Sequence, residues 1–389
     1  MLTYGQWSPL LTYTDRTVTT VIDGNDFRTD FFDERYTVLR CILPVSGIQE
    51  KHFYRIHLQQ EAENLSYKLL YIWYGENGEE IEKGYVHPGG RFLALPGSAR
   101  LEIELLIFGK GPGHFSLQDL RVKDDGLYVP RLVRVCAISY AGLDTVLTPR
   151  PLAENVDYIL NQIDAIAHLK PDLVVLTENV FQTNLDIRTP IRLDDPLVGR
   201  LCKKAAEHGT YIVCSLLEED SEKIIHNTGI LIDRRGAIQG THRKTHLTVS
   251  EIENGLPLGE TLEVFDTDFG KLGIQICWEH FFPEPVRALA LKGAELIAVP
   301  THGFQTFRAA ARAQENGVHL ATAYTWKKGT MIFDPAGQVL STADETGYAF
   351  TEVDLNAPVL MPWLSCHSNG SPRGYYLNER RPDLCGTLL

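Results

Sequence analysis

The chain has no run of about eighteen apolar residues, so no segment reads as a membrane-spanning helix. Its first residues, MLTYGQWSPLLTYTDRTV, lack the basic-then-apolar build of a secretory signal, and the expected compartment is the cytoplasm. Basic residues are in deficit. Lys and Arg number 37 against 50 Asp and Glu, a formal charge of -13, and the few basic clusters are short. Binding to phosphate backbones depends on clustered cations, which excludes nucleic acid as the expected partner. No CxxC pair occurs among the seven cysteines Cys41, Cys136, Cys202, Cys214, Cys277, Cys366 and Cys385. That odd, scattered set argues against a disulfide framework and against a zinc knuckle, and it is compatible with one reduced thiol that has chemical work to do.

What is present falls into two halves. At 389 residues the chain exceeds one ordinary hydrophobic core, and two domains are expected. Up to residue 129 it reads as short strands divided by turns. Tyr67, Leu69, Tyr71 and Trp73 alternate along one strand face, Asn77-Gly78 is a hairpin dipeptide, and Leu101, Ile103, Leu105 and Ile107 share another face before GKGPG breaks the run. An all-β, jelly-roll-like sandwich over residues 1–129 is the expectation. Gly109, Gly111 and Gly113 precede no helix pattern and read as a turn between strands instead of a phosphate cradle. Trp7, Trp73 and Tyr85 are the aromatics that would stack on sugar rings if this half bound carbohydrate; core packing is their plainer role.

From residue 130 to 389 strands alternate with amphipathic helices. Val156, Ile159, Leu160 and Ile163 recur at the spacing of one helix face, a second helix spans about Leu197 to Glu207, and apolar strands DLVVLTE, YIVCSLL, KLGIQIC and ELIAVP punctuate the run. This is α/β grammar, in which ligand chemistry gathers at strand carboxyl ends. Three ends carry reactive groups: Glu178 after DLVVLTE, Lys244 in THRKTHL and Cys277 after KLGIQIC. Singly, each fits a plain role as a helix-capping carboxylate, a solvated lysine or a buried inert thiol. Together they are a base, a cation and a nucleophile.

LTENVF, HRKTHL and GIQICWEHFFPEPVRALALKGAELIAVPTHG resemble the catalytic segments of the nitrilase superfamily of carbon-nitrogen hydrolases. The likeness continues through ARAQENGVHLATAY, FDPAGQVLS and ERRPDLCG. It implies a four-layer α-β-β-α sandwich formed on dimerisation, a homodimer or higher oligomer, and a C-terminal tail from about residue 357 that wraps the assembly. By the same resemblance Glu178 is the general base, Lys244 the oxyanion stabiliser and Cys277 the nucleophile, and Glu251 or Glu253 supplies a second glutamate, with Glu251 favoured. Trp278, Glu279, His280, His302 and Glu253 are the candidate substrate contacts, and neither metal nor organic cofactor is called for. His242 and His246 lie on no shared helix face and make a poor metal pair with His280 and His302.

The implied reaction is hydrolysis of a non-peptide C–N bond in a small amide or N-carbamoyl compound through a cysteine thioester. CWEH is closer to nitrile-cleaving relatives, and Ala323 to Thr330 replaces the family's usual late-strand motif, so the rim of the pocket departs from the pattern. A nitrilase and an N-acyltransferase share the thioester. An inactive domain carrying a glycan-recognising sandwich is the binding-class alternative.

Overall fold

A computed structural model gives the fold and describes residues 2–11, 18–24, 26–32, 36–86, 91–139, 150–181, 189–303, 305–365 and 367–384; Cys366 and Cys385 lie outside them. Residues 1–129 together with 358–389 form one compact unit, and residues 130–357 form a second. Among the described residues no helix is long and apolar enough to cross a membrane.

In the first unit nine strands among the described residues join one antiparallel sheet. Its frame is the pair His52–Tyr74 and Arg100–Leu127, hydrogen-bonded along their lengths. The Tyr54 and Trp73 rings meet at 5.6 Å, although a straight strand would hold them roughly 60 Å apart. The strand therefore folds over on itself. Register shifts at His57/Gln59 and Glu63/Leu65 mark the bend, and opposite them a Cβ on Gly113 would fall 2.7 Å from Leu65 Cγ. GKGPG thus does not separate two strands. It lies within one 28-residue strand, where bulges and small residues let the sheet curl over its own apolar face. Leu101, Ile103, Leu105 and Ile107 fill the interior with Leu39, Leu43 and Trp73. Trp7 and Trp73 are both core residues, which removes them as sugar platforms.

The C-terminal segment belongs to this unit, whereas the sequence attaches it to the catalytic half. The strands Met361–Trp363 and Ser368–Gly370 pair, and the helix Pro372–Asn378 follows. Trp363 stacks on Tyr375 at 5.4 Å and meets Tyr85 at 5.2 Å, covering Leu70. Tyr85 Oη donates to Glu379 Oε1 at 2.6 Å and accepts from Lys68 Nζ at 2.7 Å. Trp363→Ala is expected to destabilise the first unit by about 3–5 kcal/mol, the cost of emptying such a site, measured as a shift of its calorimetric transition; an unshifted transition would mean the segment is not docked.

The second unit is inserted between these pieces. Leu132 pairs with Asp354, and Arg131 N donates to Asp354 Oδ1 at 2.8 Å, so the chain enters and leaves on adjacent strands, as insertion requires. Two six-stranded sheets make up this unit. Leu132–Ile138, Leu173–Val175 and Tyr211–Glu219 run parallel in the first; Lys271–Ile274, Leu296–Thr301 and His319–Tyr324 run parallel in the second. Alternate residues explain the layering. Val133, Val135 and Ala137 face Leu296, Ala298, Ala321 and Ala323 between the sheets. Cys136, Ile212 and Cys214 instead point outward under the helices Leu152–Ala165 and Pro196–His208. Ile297, Val299 and Leu320 lie under Pro283–Leu291 and Thr306–Asn316. Strands buried on both faces read as continuous apolar runs, as these do. Four α-β-β-α layers therefore arise within a single chain, not on dimerisation, because this unit supplies both sheets and helices for each outer face.

Candidate active site

Glu178, Lys244 and Cys277 converge. Glu178 stands three residues past Leu173–Val175 and is 2 % exposed; the next residue, Asn179, has φ 43, a turn that asparagine tolerates. Lys244 follows Ile238–Arg243, with its N–H donating to Asn227 O at 2.9 Å and its carbonyl accepting from Gly259 N at 2.8 Å. Only glycine fits at 259, since a Cβ there would lie 2.0 Å from Arg243 O. Cys277 opens a short 3-10 turn, Cys277–Phe281, and has φ 46, a left-handed conformation that turns the thiol out of line with the strand.

The Lys244 ammonium donates to Glu178 Oε1 at 2.8 Å and to both Glu251 oxygens at 2.8 and 2.9 Å. Asn227 Nδ2 spans the same two carboxylates at 2.8 Å each. The Cys277 thiol lies close enough to Glu178, Lys244 and Thr301 for each of them to act on its charge. Charge follows from this packing. Burial would raise Glu178, but the Lys244 ammonium outweighs it and holds the carboxyl down at about 2. Burial, then the Glu178 anion, push the thiol up to about 12. Burial opposes the Lys244 charge, yet Glu178, Cys277 and Glu251 hold that ammonium well above its ordinary value. The resting site is thus a carboxylate, an ammonium and a protonated thiol with its base already in contact.

Of the two glutamates Glu251 and Glu253, it is Glu251 that meets Lys244. Thr248 Oγ1 accepts from Glu251 N at 3.3 Å, while Glu251 Oε2 accepts from Thr248 N at 2.8 Å, a capping box that aims Glu251 at Lys244. Glu253, two residues on, is exposed.

Residues 132–359 match the carbon-nitrogen hydrolase family. The chain belongs to it. Among curated relatives of this carbon-nitrogen hydrolase, a nitrilase of Pyrococcus abyssi is 37% identical over 39% of this chain and 62% of its own length. An N-carbamoylputrescine amidase of Solanum tuberosum is 31% identical over 44% of this chain and 59% of its own. The matched stretch thus spans less than two thirds of either relative. In fold, an amidase from Nesterenkonia sp. superposes with a TM-score of 0.54 at 23% identity, covering 66% of this chain and 96% of that one.

The remaining candidates divide. His302 is at the site: its N–H donates to Glu178 Oε2 at 3.2 Å, its Nδ1 shares a hydrogen bond with Thr325 Oγ1 at 2.7 Å, and burial lowers its imidazole, leaving it neutral. Trp278 is 37% exposed and meets the Phe281 ring at 4.7 Å in a tilted arrangement. Glu279 and His280 are fully buried behind the elbow, not in a pocket mouth. His280 Nδ1 bonds the Cys277 carbonyl, and burial brings the ring down to about 4. The four histidines are engaged separately: His242 with Glu279, His246 stacked on Phe282, His280 and His302 as above.

Sequence reasoning missed Asn227 and Arg312. Asn227 is one of three consecutive polar residues, His226 to Thr228, that precede the apolar end of the buried strand Ile225–Ile232, a signal that was there to be read. Arg312 holds the turn after Cys277, donating to Phe281 O at 3.0 Å and, through Nε, to His280 O and Phe282 O at 3.2 Å.

Proposed function

We propose that this carbon-nitrogen hydrolase cleaves a non-peptide C–N bond of a small amide or N-carbamoyl compound through a thioester on Cys277. The observation that carries the reading is a buried thiol beside Glu178 and Lys244, with Lys244 clamped between Glu178 and Glu251. Glu178 takes the thiol proton as sulfur attacks the carbonyl carbon, and the developing oxyanion sits against the Lys244 ammonium and the backbone N–H of Trp278. Glu178 then protonates the departing nitrogen and activates the water that hydrolyses the thioester. Glu251 keeps Lys244 charged and aimed, and His302 lines the substrate side of Glu178. A mutant of the Nesterenkonia amidase carries acrylamide added at its active-site cysteine, which supports a nucleophilic role for the corresponding thiol.

The test is ammonia release from amides, ureido acids and nitriles assayed side by side with no acceptor present. Turnover of an amide or ureido acid is expected. Turnover of nitriles alone would make the enzyme a nitrilase, product only with an added amine would make it an acyltransferase, and no product from any class would overturn the reading. Cytoplasmic residence and assembly as a homodimer or higher homo-oligomer are part of the same proposal, the assembly being checked by light scattering.

A further inference from the structure

Glu279 lies two residues beyond the nucleophile with no exposed surface. Its carboxylate is shared by two segments. From the lysine segment it accepts from Thr245 N and Thr245 Oγ1, both at 2.6 Å, and meets His242 Nε2 at 2.9 Å. From the cysteine segment it accepts from Ile276 N at 2.6 Å. A carboxylate offers about four acceptor positions, and these donors occupy them, so nothing is left for a substrate.

We propose that Glu279 is a positioning residue that sets the spacing between the oxyanion cation and the nucleophile, because its single carboxylate grips the immediate neighbours of both Lys244 and Cys277. The proposal rests on the hydrolase reading above. Two features explain why an anchor is needed there. Cys277 occupies a left-handed backbone conformation, which is unfavourable for an L-residue and persists only when its surroundings enforce it. Glu279 enforces it twice, by accepting from Ile276 N and by donating its own N–H to Ile276 O at 3.1 Å. Lys244, for its part, arrives from the other sheet of the unit, at the end of Ile238–Arg243, so its distance from Cys277 is not fixed by strand pairing. Thr245 and His242 bring that segment onto the same carboxylate.

The experiment follows alkylation of Cys277 by iodoacetamide in the full chain, read by mass spectrometry of its peptide, with kcat and KM measured on whichever substrate the wild type turns over. Glu279→Gln keeps the shape but has one acceptor oxygen; slowing of alkylation and of kcat by about 10²-fold is expected, the scale of an ångström misplacement, with KM little changed. His242→Gln leaves both segments tied and should slow either rate much less. Equal losses in the two variants would assign the effect to the charge pair and overturn the tie, as would wild-type rates in a Glu279→Gln protein that merely melts earlier. Should Glu279→Gln not fold, Thr245→Ala removes a donor of the lysine segment only; slower alkylation of the untouched Cys277 loop is then expected, and an unchanged rate refutes the proposal. An inert Cys277 in the wild type sinks the hydrolase reading itself, whereas a reactive wild-type thiol with indifferent variants sinks this inference alone.

Discussion

Lys244→Met is expected to release no measurable ammonia and also to lose about 3–5 kcal/mol of stability, the usual cost of stranding the partners of a buried ion pair. Both losses follow from one geometry. The ammonium is 2 % exposed and is bonded to Glu178 and to both oxygens of Glu251, so its removal leaves two carboxylates facing each other across Asn227. Like charges at that range do not both stay ionised, and one of the pair takes up a proton. If that one is Glu178, the base is lost together with the oxyanion donor, which alone is worth about 10²–10³ in rate. The pH dependence of stability separates this account from a general packing defect. In the wild type Glu178 is held at about 2, below its value in the unfolded chain, so its contribution is present above about pH 4.3 and drains away as pH falls toward 2. In the variant the folded-state carboxyl titrates above the unfolded one, so stability falls as pH rises past the same point. Denaturant titrations from pH 3 to 8 measure the slope of both. Adding Glu251→Gln to Lys244→Met should restore stability and leave activity absent. A single variant as stable as the wild type, or one still turning over, would show that Lys244 is not the buried clamp described above.

Residues fixed by local chemistry were legible in the sequence. The helix Leu152–Ala165 announces its buried face through Val156, Ile159, Leu160 and Ile163, since the 3.6-residue period is a property of the segment alone. Glu178 and Cys277 were legible because each follows an apolar strand whose carboxyl end is where α/β chemistry gathers, whereas Lys244 follows the polar strand IQGTHR and was picked out by the resemblance of HRKTHL to the family's lysine segment. Glu251 was favoured over Glu253 only for its distance from Lys244, although Thr248-x-x-Glu251 is a capping box whose local geometry also singles it out. What escaped depends on partners remote in sequence. GKGPG looks like a strand break, and whether it ends a strand or bends one is decided by the bulged partner around Glu63–Leu65. The tail from Met361 to Asn378 gives no sign of where it docks, since Leu70, Tyr85 and Leu106 form its seat only after the first sheet has folded. The order of strands and helices likewise does not say which strands share a sheet, so one chain's two sheets were read as two chains' single ones. Glu279 and His280 were misplaced by proximity: being next to Cys277 in sequence suggested the pocket, but the 3-10 turn carries both side chains behind the nucleophile.

Cys277→Ala is expected to abolish ammonia release from every substrate the wild type hydrolyses while changing the unfolding free energy by only about 1 kcal/mol, the scale of an ordinary substitution. The contrast with Lys244 comes from charge. The resting thiol is neutral and buried, so its loss removes only a small, weakly polar group, and Lys244 still neutralises Glu178 and Glu251. Cys136 and Cys214 serve as controls: both are fully buried thiols pushed far up, Cys136 by burial and Cys214 by burial and then by Cys202, and alanine at either should leave turnover per folded molecule unaltered. Glycine at 277 tests the backbone separately from the sulfur. At φ 46 an alanine still carries the left-handed penalty and glycine does not, so Cys277→Gly should be more stable than Cys277→Ala by about 1 kcal/mol despite glycine's greater freedom when unfolded. That ordering reverses the usual rank of the two residues, and it is expected only where the fold holds the nucleophile in a strained turn. Equal or inverted stabilities would mean the elbow relaxes in solution; ammonia release by Cys277→Ala at the wild-type rate would mean that the attacking group is not this thiol.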